Sequence, residues 1–145
     1  MKCKNCQERP VINLTNNNIS LCKNHFNRYF ERKVRKTIRI YHMVDKEDFI
    51  GVAVSGGKDS ISLLYILNKI FKPTRVRLIA IALDEGIEGY RDPKFKFVKD
   101  FCKKYKIKLH TYSFKKEMGK TLDEMTKRTN ITPCTICGVF RRKLL

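Results

Sequence analysis

The sequence predicts an α/β fold with a parallel sheet, preceded by a small metal-held ribbon. Three observations carry this expectation. An apolar run, Phe49-Ile50-Gly51-Val52-Ala53-Val54, passes directly into Ser55-Gly56-Gly57-Lys58-Asp59-Ser60. It continues into Ile61, Leu63, Leu64, Leu67, Ile70 and Phe71 at helical spacing. Strand-length apolar runs then alternate with helical patterns, the order of a βαβ sheet. Near the N-terminus, Cys3 and Cys6 form one pair of metal-type ligands and Cys22 and His25 a second.

Taken in order, residues 1–25 read as a zinc ribbon. Val11–Leu14 and Ile19–Leu21 are strand-like around the turn Thr15-Asn16-Asn17-Asn18. Residues 26–46 are a linker, its helix running to about residue 44 with Phe26, Tyr29, Phe30, Val34, Ile38 and Tyr41 at helical spacing. Residues 47–145 carry the α/β pattern. Strands are expected at Phe49–Val54, Arg77–Leu83 and Ile107–Phe114. Helices are expected after Ser60, over Pro93–Tyr105 and near Thr121–Arg128. A final helix should begin after Cys137, leaving Cys134 and Cys137 on the loop before it. No internal repeat or low-complexity segment interrupts this order.

The chain has 145 residues, enough for one modest core, and a formal net charge of +18 from 32 Lys and Arg against 14 Asp and Glu. Such an excess points to a polyanion, nucleic acid first. A lysine-rich solvated surface of the thermophilic kind is the alternative. The charge is densest between Lys23 and Arg39, where Arg28, Arg32, Lys33, Arg35, Lys36 and Arg39 suit an RNA phosphate backbone and Glu31 is the one acid. A plain solvated linker helix is the other reading. No apolar run has membrane-spanning length and no secretory h-region follows Met1, so a cytoplasmic protein with no membrane partner is expected. The glycosylation-type triplets at Asn13 and Asn18 are then ordinary turn residues.

The loop at 55–60 has the chemistry of a phosphate cradle. Adjacent glycines let a polyanion approach backbone amides, and the following helix offers its positive end. Lys58 adds a charge, and Ser55 and Ser60 add hydroxyl donors. The pattern is not a Walker A loop, because Gly57 stands where that motif requires lysine. A ligand-free glycine turn is the plain alternative. Asp84 closes the second strand at the same sheet edge, where open parallel sheets bind ligands. It could assist Mg²⁺ or nucleotide, or simply cap the next turn.

Of six cysteines, five fall in metal-type pairs. Cys3, Cys6, Cys22 and His25 supply four N/S donors for one tetrahedral Zn²⁺. Four protein ligands leave no open position, so the site is read as structural. Cys134 and Cys137 cannot close a metal site alone. Cys102 lies among Phe97, Val98, Phe101 and Tyr105 and reads as a core residue. His42 and His110 stand in no motif.

The string Ser55-Gly56-Gly57-Lys58-Asp59-Ser60 resembles the PP-loop of the ATP pyrophosphatases. The wider set is more specific: the Cys3/Cys6/Cys22/His25 site, the basic helix, Ala82-Leu83-Asp84-Glu85-Gly86-Ile87-x-Gly89-Tyr90-Arg91, and Cys134-x-x-Cys137-Gly138-x-x-Arg141-Arg142. Over its whole length the chain is similar to the tRNA 2-thiolation enzymes of the TtuA type and the cytosolic wobble-uridine thiolation enzymes. It is more distantly similar to the TtcA 2-thiocytidine enzymes.

The resemblance implies a Rossmann-like, adenine nucleotide alpha hydrolase-like PP-loop domain, truncated here to its N-terminal part. It implies ATP-dependent adenylylation of a tRNA base at its C2 oxygen, followed by sulfur transfer. Ser55, Gly56, Gly57, Lys58, Asp59 and Ser60 would contact phosphates or Mg²⁺, with Lys58, Asp59 and Cys134 as catalytic candidates. Backbone near Val54 and Ile81 would cradle adenine, with Asp84 and Arg141 near the nucleotide. Cys134 and Cys137 match two of three ligands of a [4Fe–4S] cluster. A ubiquitin-like carrier is an expected sulfur donor, and the remaining half of the enzyme or a homodimer partner an expected complement. Family members are longer, so a third cluster cysteine and further strands are expected outside this chain, with the first strand left as an unpaired edge. A non-catalytic zinc-containing RNA-binding fragment, or another PP-loop enzyme such as a lysidine synthetase or amidotransferase-type ligase, are the other readings.

Overall fold

The computed structural model describes residues 2–87, 92–127, 129 and 131–145. The chain divides into two compact units, Met1–Asp45 and Lys46–Leu145. Gly89, Tyr90 and Arg91, which carry part of the family resemblance, and Arg128 lie outside the described residues.

In the first unit, β1 (Ile12–Leu14) and β2 (Ile19–Leu21) form an antiparallel hairpin with Asn13 opposite Ser20. A 3-10 turn over Thr15–Asn17 joins them, and Asn18 closes it in the left-handed region at φ 46°, a conformation asparagine tolerates. The buried residues are Cys3, Leu21 and Cys22, flanked by Ile12, Leu14, Ile19, Phe26 and Tyr29.

Helix α1 spans Lys23–Ile40. It therefore begins before the expected residue 26, with extended Cys22 as its N-cap. Helix from residue 23 puts His25 in the first turn, three residues past Cys22 and on the same side, with its Nδ1 3.2 Å from the Cys22 sulfur. The helix also ends before the expected residue 44. His42 adopts φ 47°, its N–H donates to the Arg39 carbonyl, and the Met43 N–H donates to the Ile38 carbonyl. This is a Schellman stop built on histidine rather than glycine. No residue of α1 is buried.

In the second unit, β3 (Phe49–Ala53), β4 (Arg77–Asp84) and β5 (Lys108–Ser113) form a parallel sheet in the order β3-β4-β5. Helix α2 (Lys58–Phe71) connects the first two strands and α3 (Asp92–Tyr105) the next two. Ala80 and Ala82, on one face of β4, are fully buried with Ile61 and Leu64 of α2 and with Val98 and Cys102 of α3. Both helices thus cover one face of the sheet, and small residues on the central strand let them approach closely. The expectation for Cys102 as a core residue matches its place here. Strand β3 lies at the sheet edge with Phe49, Gly51 and Ala53 exposed.

The C-terminal elements depart from the sequence reading. The expected strand to Phe114 stops at Ser113. Phe114, fully buried, instead opens a short helix α4 (Phe114–Met118), ended by Gly119. Helix α5 (Leu122–Thr126) follows Thr121 and is shorter than expected. Helix α6 spans Pro133–Leu144, so Cys134 and Cys137 sit in its first two turns and not on a loop before it. Pro133 at the first helical position explains this: its fixed φ and missing N–H suit a helix start. Phe114, Leu122, Ile136 and Cys137 form a second small core.

Candidate functional site

The carboxyl ends of β3 and β4, with the start of α3 and the end of α6, surround a pocket of about 240 Å³. Val54, Ser55, Ile81, Asp84 and Arg141 from the sequence reading line it. Gly56, Gly57, Lys58, Asp59 and Ser60 adjoin it as the β3–α2 loop and the first turn of α2. Residues 55–60 fold around their own hydroxyls. Ser60 Oγ donates to the Gly57 carbonyl at 3.1 Å, the Ser55 N–H reaches Ser60 Oγ at 3.3 Å, and the Gly57 N–H reaches Ser55 Oγ at 3.4 Å. The last two contacts are long and easily exchanged for an anion.

Gly57 is the N-cap of α2 and supplies no side-chain cap. The first helical bond runs from the Ile61 N–H to the Gly57 carbonyl, so the amides of residues 58–60 point out of the helix end. That end, with Lys58 beside it, is built to receive phosphate oxygens. Gly56 takes φ 79°, and a Cβ there would lie 3.0 Å from both the Cβ and the carbonyl oxygen of Lys94. The loop therefore packs on the first turn of α3 and admits no larger residue at this position.

At the pocket wall, the Val54 N–H already donates to the Ile81 carbonyl at 2.8 Å. These two residues line the pocket, and that bond engages the Val54 N–H and the Ile81 carbonyl with each other. Asp84 is 5% exposed, the one buried charged residue among those described. Its Oδ1 accepts the Gly86 N–H at 3.0 Å, so it caps the turn after β4 while lining the pocket.

Three residues that sequence reasoning left without a role also define the pocket. Glu85 Oε1 receives the Arg141 guanidinium through Nε at 3.0 Å and Nη2 at 2.5 Å. The pair ties the helix carrying Cys134 and Cys137 to the lip of the pocket. Lys94 and Phe95, in the first turn of α3, face the same space. The available signal was topological: in a βαβ unit the helix after β4 starts at the edge where the phosphate loop lies.

Cys134 is exposed and Cys137 buried, three residues apart on α6. Burial pushes the Cys137 thiol up. Arg141 opposes this, and the charges of Glu85 and Cys134 add to it. Cys102 lies in the sheet core and the other three cysteines in the first unit. The chain thus offers two thiols at this place, which is one short of the three that a [4Fe–4S] cluster of the expected type takes.

In the first unit the ligand atoms of Cys3, Cys6, Cys22 and His25 lie within 4.8 Å of one another. His25 Nδ1 faces the sulfurs of Cys3, Cys6 and Cys22 at 3.5, 3.4 and 3.2 Å, and Cys6 and Cys22 Sγ are 3.7 Å apart. A tetrahedral Zn²⁺ with Zn–S bonds of about 2.3 Å sets its sulfurs about 3.8 Å apart, so these four donors fit that ion. Burial raises the Cys3 thiol, but backbone hydrogen bonds from Cys22 and Asn5 and the adjoining thiols bring it down to about 6. A backbone hydrogen bond from His25 lowers Cys22, but Glu8, burial and the Cys6 and Cys3 thiols raise it to about 11. A metal binding here displaces the remaining thiol protons.

The RNA candidates Arg28, Arg32, Lys33, Arg35, Lys36 and Arg39 are all exposed on α1. At 3.6 residues per turn, Arg28, Arg32, Arg35 and Arg39 fall on one face and Lys36 beside it, while Lys33 lies toward the opposite apolar stripe, its Nζ over the Tyr29 ring.

Compared with known proteins, residues 22–131 match the PP-loop domain, and the chain belongs to that family. A probable sulfurtransferase of Methanocaldococcus jannaschii is 40% identical, over 88% of this chain and 39% of its own length. The tRNA-5-methyluridine(54) 2-sulfurtransferase of Pyrococcus horikoshii is 35% identical, over 100% of this chain and 45% of its own. The solved U34-tRNA thiolase NcsA from Methanococcus maripaludis, with its [4Fe-4S] cluster, superposes with a TM-score of 0.88 at 37% identity. It covers 100% of this chain and 48% of that one. The resemblance to tRNA 2-thiolation enzymes is borne out, and the chain spans less than half the length of these relatives.

Proposed function

We propose that this chain is the ATP-binding, N-terminal portion of an enzyme that thiolates a tRNA uridine at C2. The observation that carries the reading is the amide-lined loop 55–60 opening beside the pocket at the ends of β3 and β4. ATP lies with its base against Val54 and Ile81 and its β- and γ-phosphates on the amides of residues 57–60 and on Lys58. Asp59 and Asp84 would hold Mg²⁺, which when bound would offset the negative charge that develops on the leaving pyrophosphate.

The base's C2 oxygen attacks the α-phosphorus. The bond to the β-phosphate bridging oxygen breaks, and pyrophosphate leaves into the loop. Sulfur then replaces the adenylylated oxygen at C2 and AMP departs. Cys134 and Cys137 would hold an iron–sulfur cluster together with a further thiolate from outside the chain's described cysteines. Such a cluster, when bound, supplies an open iron for sulfur. The donor of that sulfur is a thiocarboxylate carrier of the ubiquitin-like kind. Zn²⁺ at Cys3, Cys6, Cys22 and His25 holds the ribbon together, and α1 faces the tRNA. Six free cysteines suit the reducing cytoplasm.

The test is the product of ATP turnover. With ATP, an unmodified tRNA transcript and a sulfur donor, pyrophosphate should form, with AMP in equal amount once sulfur is transferred, and Lys58→Ala should weaken nucleotide binding. ADP with inorganic phosphate would reject the assignment of the loop.

A further inference from the structure

We propose that His25, Arg28, Arg32 and Arg35 form a phosphodiester-binding groove in which the metal-ligating histidine donates its outer Nε2–H to a nucleic-acid phosphate. This rests on the reading above that α1 faces RNA, and it names the atoms that do so.

The groove has a volume of about 450 Å³ and is lined by Asn5, His25, Arg28, Glu31, Arg32 and Arg35, all within the first unit. His25 turns Nδ1 toward the three sulfurs. A metal on Nδ1 leaves the neutral ring its proton on Nε2, so that nitrogen is a donor and nothing else. Metal-ligating histidines nearly always give that second N–H to an acceptor. Among the described residues His25 Nε2 has none, and no buried side-chain donor is left unpaired in the structure, so this nitrogen reaches solvent. His25 lines the same groove as Arg28, Arg32 and Arg35.

The one carboxylate in the groove, Glu31, receives Arg35 through Nε at 3.1 Å and Nη2 at 2.9 Å. That pair fixes Arg35 and offsets the carboxylate's charge. Arg28 and Arg32, one turn apart, add two forks that match phosphate oxygens. An acceptor-only, anionic group is what such a set of donors takes, and a phosphodiester is the one that a nucleic acid presents.

The experiment measures binding of an unmodified tRNA transcript to the full metal-loaded chain across a salt series. Arg28→Gln/Arg32→Gln should weaken binding about tenfold and flatten the slope of log K against log salt by about 1.4–1.8, the value for two lost phosphate contacts. Lys33→Gln/Lys36→Gln removes the same charge from the same helix and should cost at least about threefold less. Equal losses in the two variants would overturn the groove while leaving RNA binding by α1 in place. If the unaltered chain binds no tRNA at low salt, the RNA reading itself fails and the groove with it. An acidic peptide that displaces tRNA from the unaltered chain at concentrations below those at which competing RNA does so would make the partner a protein and overturn the proposal.

The histidine's part is read separately. His25→Cys keeps a four-thiolate zinc site, since Cys Sγ and His Nδ1 reach a metal at similar depth. With zinc retained, it should bind tRNA about threefold more weakly. In ¹⁵N-labelled protein the His25 Nε2–H proton resonance should shift when an RNA oligonucleotide is added. An unmoved resonance at saturating RNA overturns the histidine's role whether or not the cysteine variant folds.

Discussion

Gly86 and Cys102 show how single positions hold the pocket. Gly86 takes φ 72°, and a Cβ there would lie 2.6 Å from Thr121 Cγ2 and 2.7 Å from Thr121 Cβ. Its N–H also caps Asp84. Gly86→Ala therefore combines left-handed strain of about 1–2 kcal/mol with a clash against a packed side chain. We expect a loss of roughly 2 kcal/mol or more in denaturant unfolding, together with weaker nucleotide binding. A loss no larger than that of a surface substitution would show that the Asp84–Gly86 turn repacks freely. Cys102 contributes a pH dependence. Burial raises its thiol above the ordinary 9.0. The unfolded chain then ionises this thiol at lower pH than the folded chain does, so its contribution is present below the ordinary value and lost as pH rises past it. Between pH 9 and the folded value, unfolding curves should show stability falling more steeply in the unaltered chain than in Cys102→Ala. Parallel curves would mean that the buried thiol ionises as readily as a free one.

At the level of elements, strands β3, β4 and β5 and helices α2 and α3 were legible because each carries an uninterrupted pattern. Strands β3 and β4 are short apolar runs, the mixed β5 is placed by its position after α3 in the βαβ order, and the helices bury one side at helical spacing. What the sequence hid were element ends set by local chemistry. The stop of α1 rests on His42 in a conformation that glycine usually takes, so no glycine marks it. Phe114 reads as the last residue of an apolar strand, yet it turns to bury itself against Phe140 in the second core. Pro133 marks the start of α6, but the Cys-x-x-Cys spacing invited a loop. The clustering of Cys3, Cys6, Cys22 and His25 was legible from spacing alone, whereas Glu85 was not assigned to Arg141, because 56 residues separate the two and only the fold joins them. Helix α5 carries a full capping box: Thr121 Oγ1 accepts the Glu124 N–H at 3.1 Å, and the Thr121 N–H donates to Glu124 Oε2 at 2.9 Å. Thr121→Ala should cost about 1 kcal/mol. For a unit of this size that lowers Tm by roughly 4–8 °C. Thr121→Ser should recover most of it, because serine keeps the accepting oxygen. Failure of serine to rescue would assign the loss to the methyl packed against Gly86.

On the scale of the molecule, the two units differ in what holds them. The second has a nine-residue core drawn from β3, β4, α2 and α3, with Val54 just after β3 and Ile107 just before β5. The first buries three residues, Cys3, Leu21 and Cys22, two of which belong to the Cys3/Cys6/Cys22/His25 cluster that could hold a metal. Segments of fewer than about 40 residues seldom fold on apolar burial alone, and a bound metal commonly replaces the missing core. The hairpin of β1 and β2 is also a single two-stranded ribbon, marginal in water by itself. If these four residues hold a metal, its binding free energy is folding free energy for residues 2–22, and the second unit's own core predicts that α2, α3 and the sheet are unaffected. Stripping the metal with a chelator at neutral pH should abolish hydrogen-exchange protection at Ile12–Leu14 and Ile19–Leu21. Amides of β3, β4 and β5 should keep theirs, and Cys6→Ser should reproduce the pattern without chelator. The RNA groove should vanish together with the ribbon, because both Asn5 and the orientation of the His25 ring depend on the ligand shell. Metal-free protein that keeps the hairpin protected would show that Leu21 and its partly buried neighbours suffice. The four ligands would then be a passenger on the ribbon rather than its core.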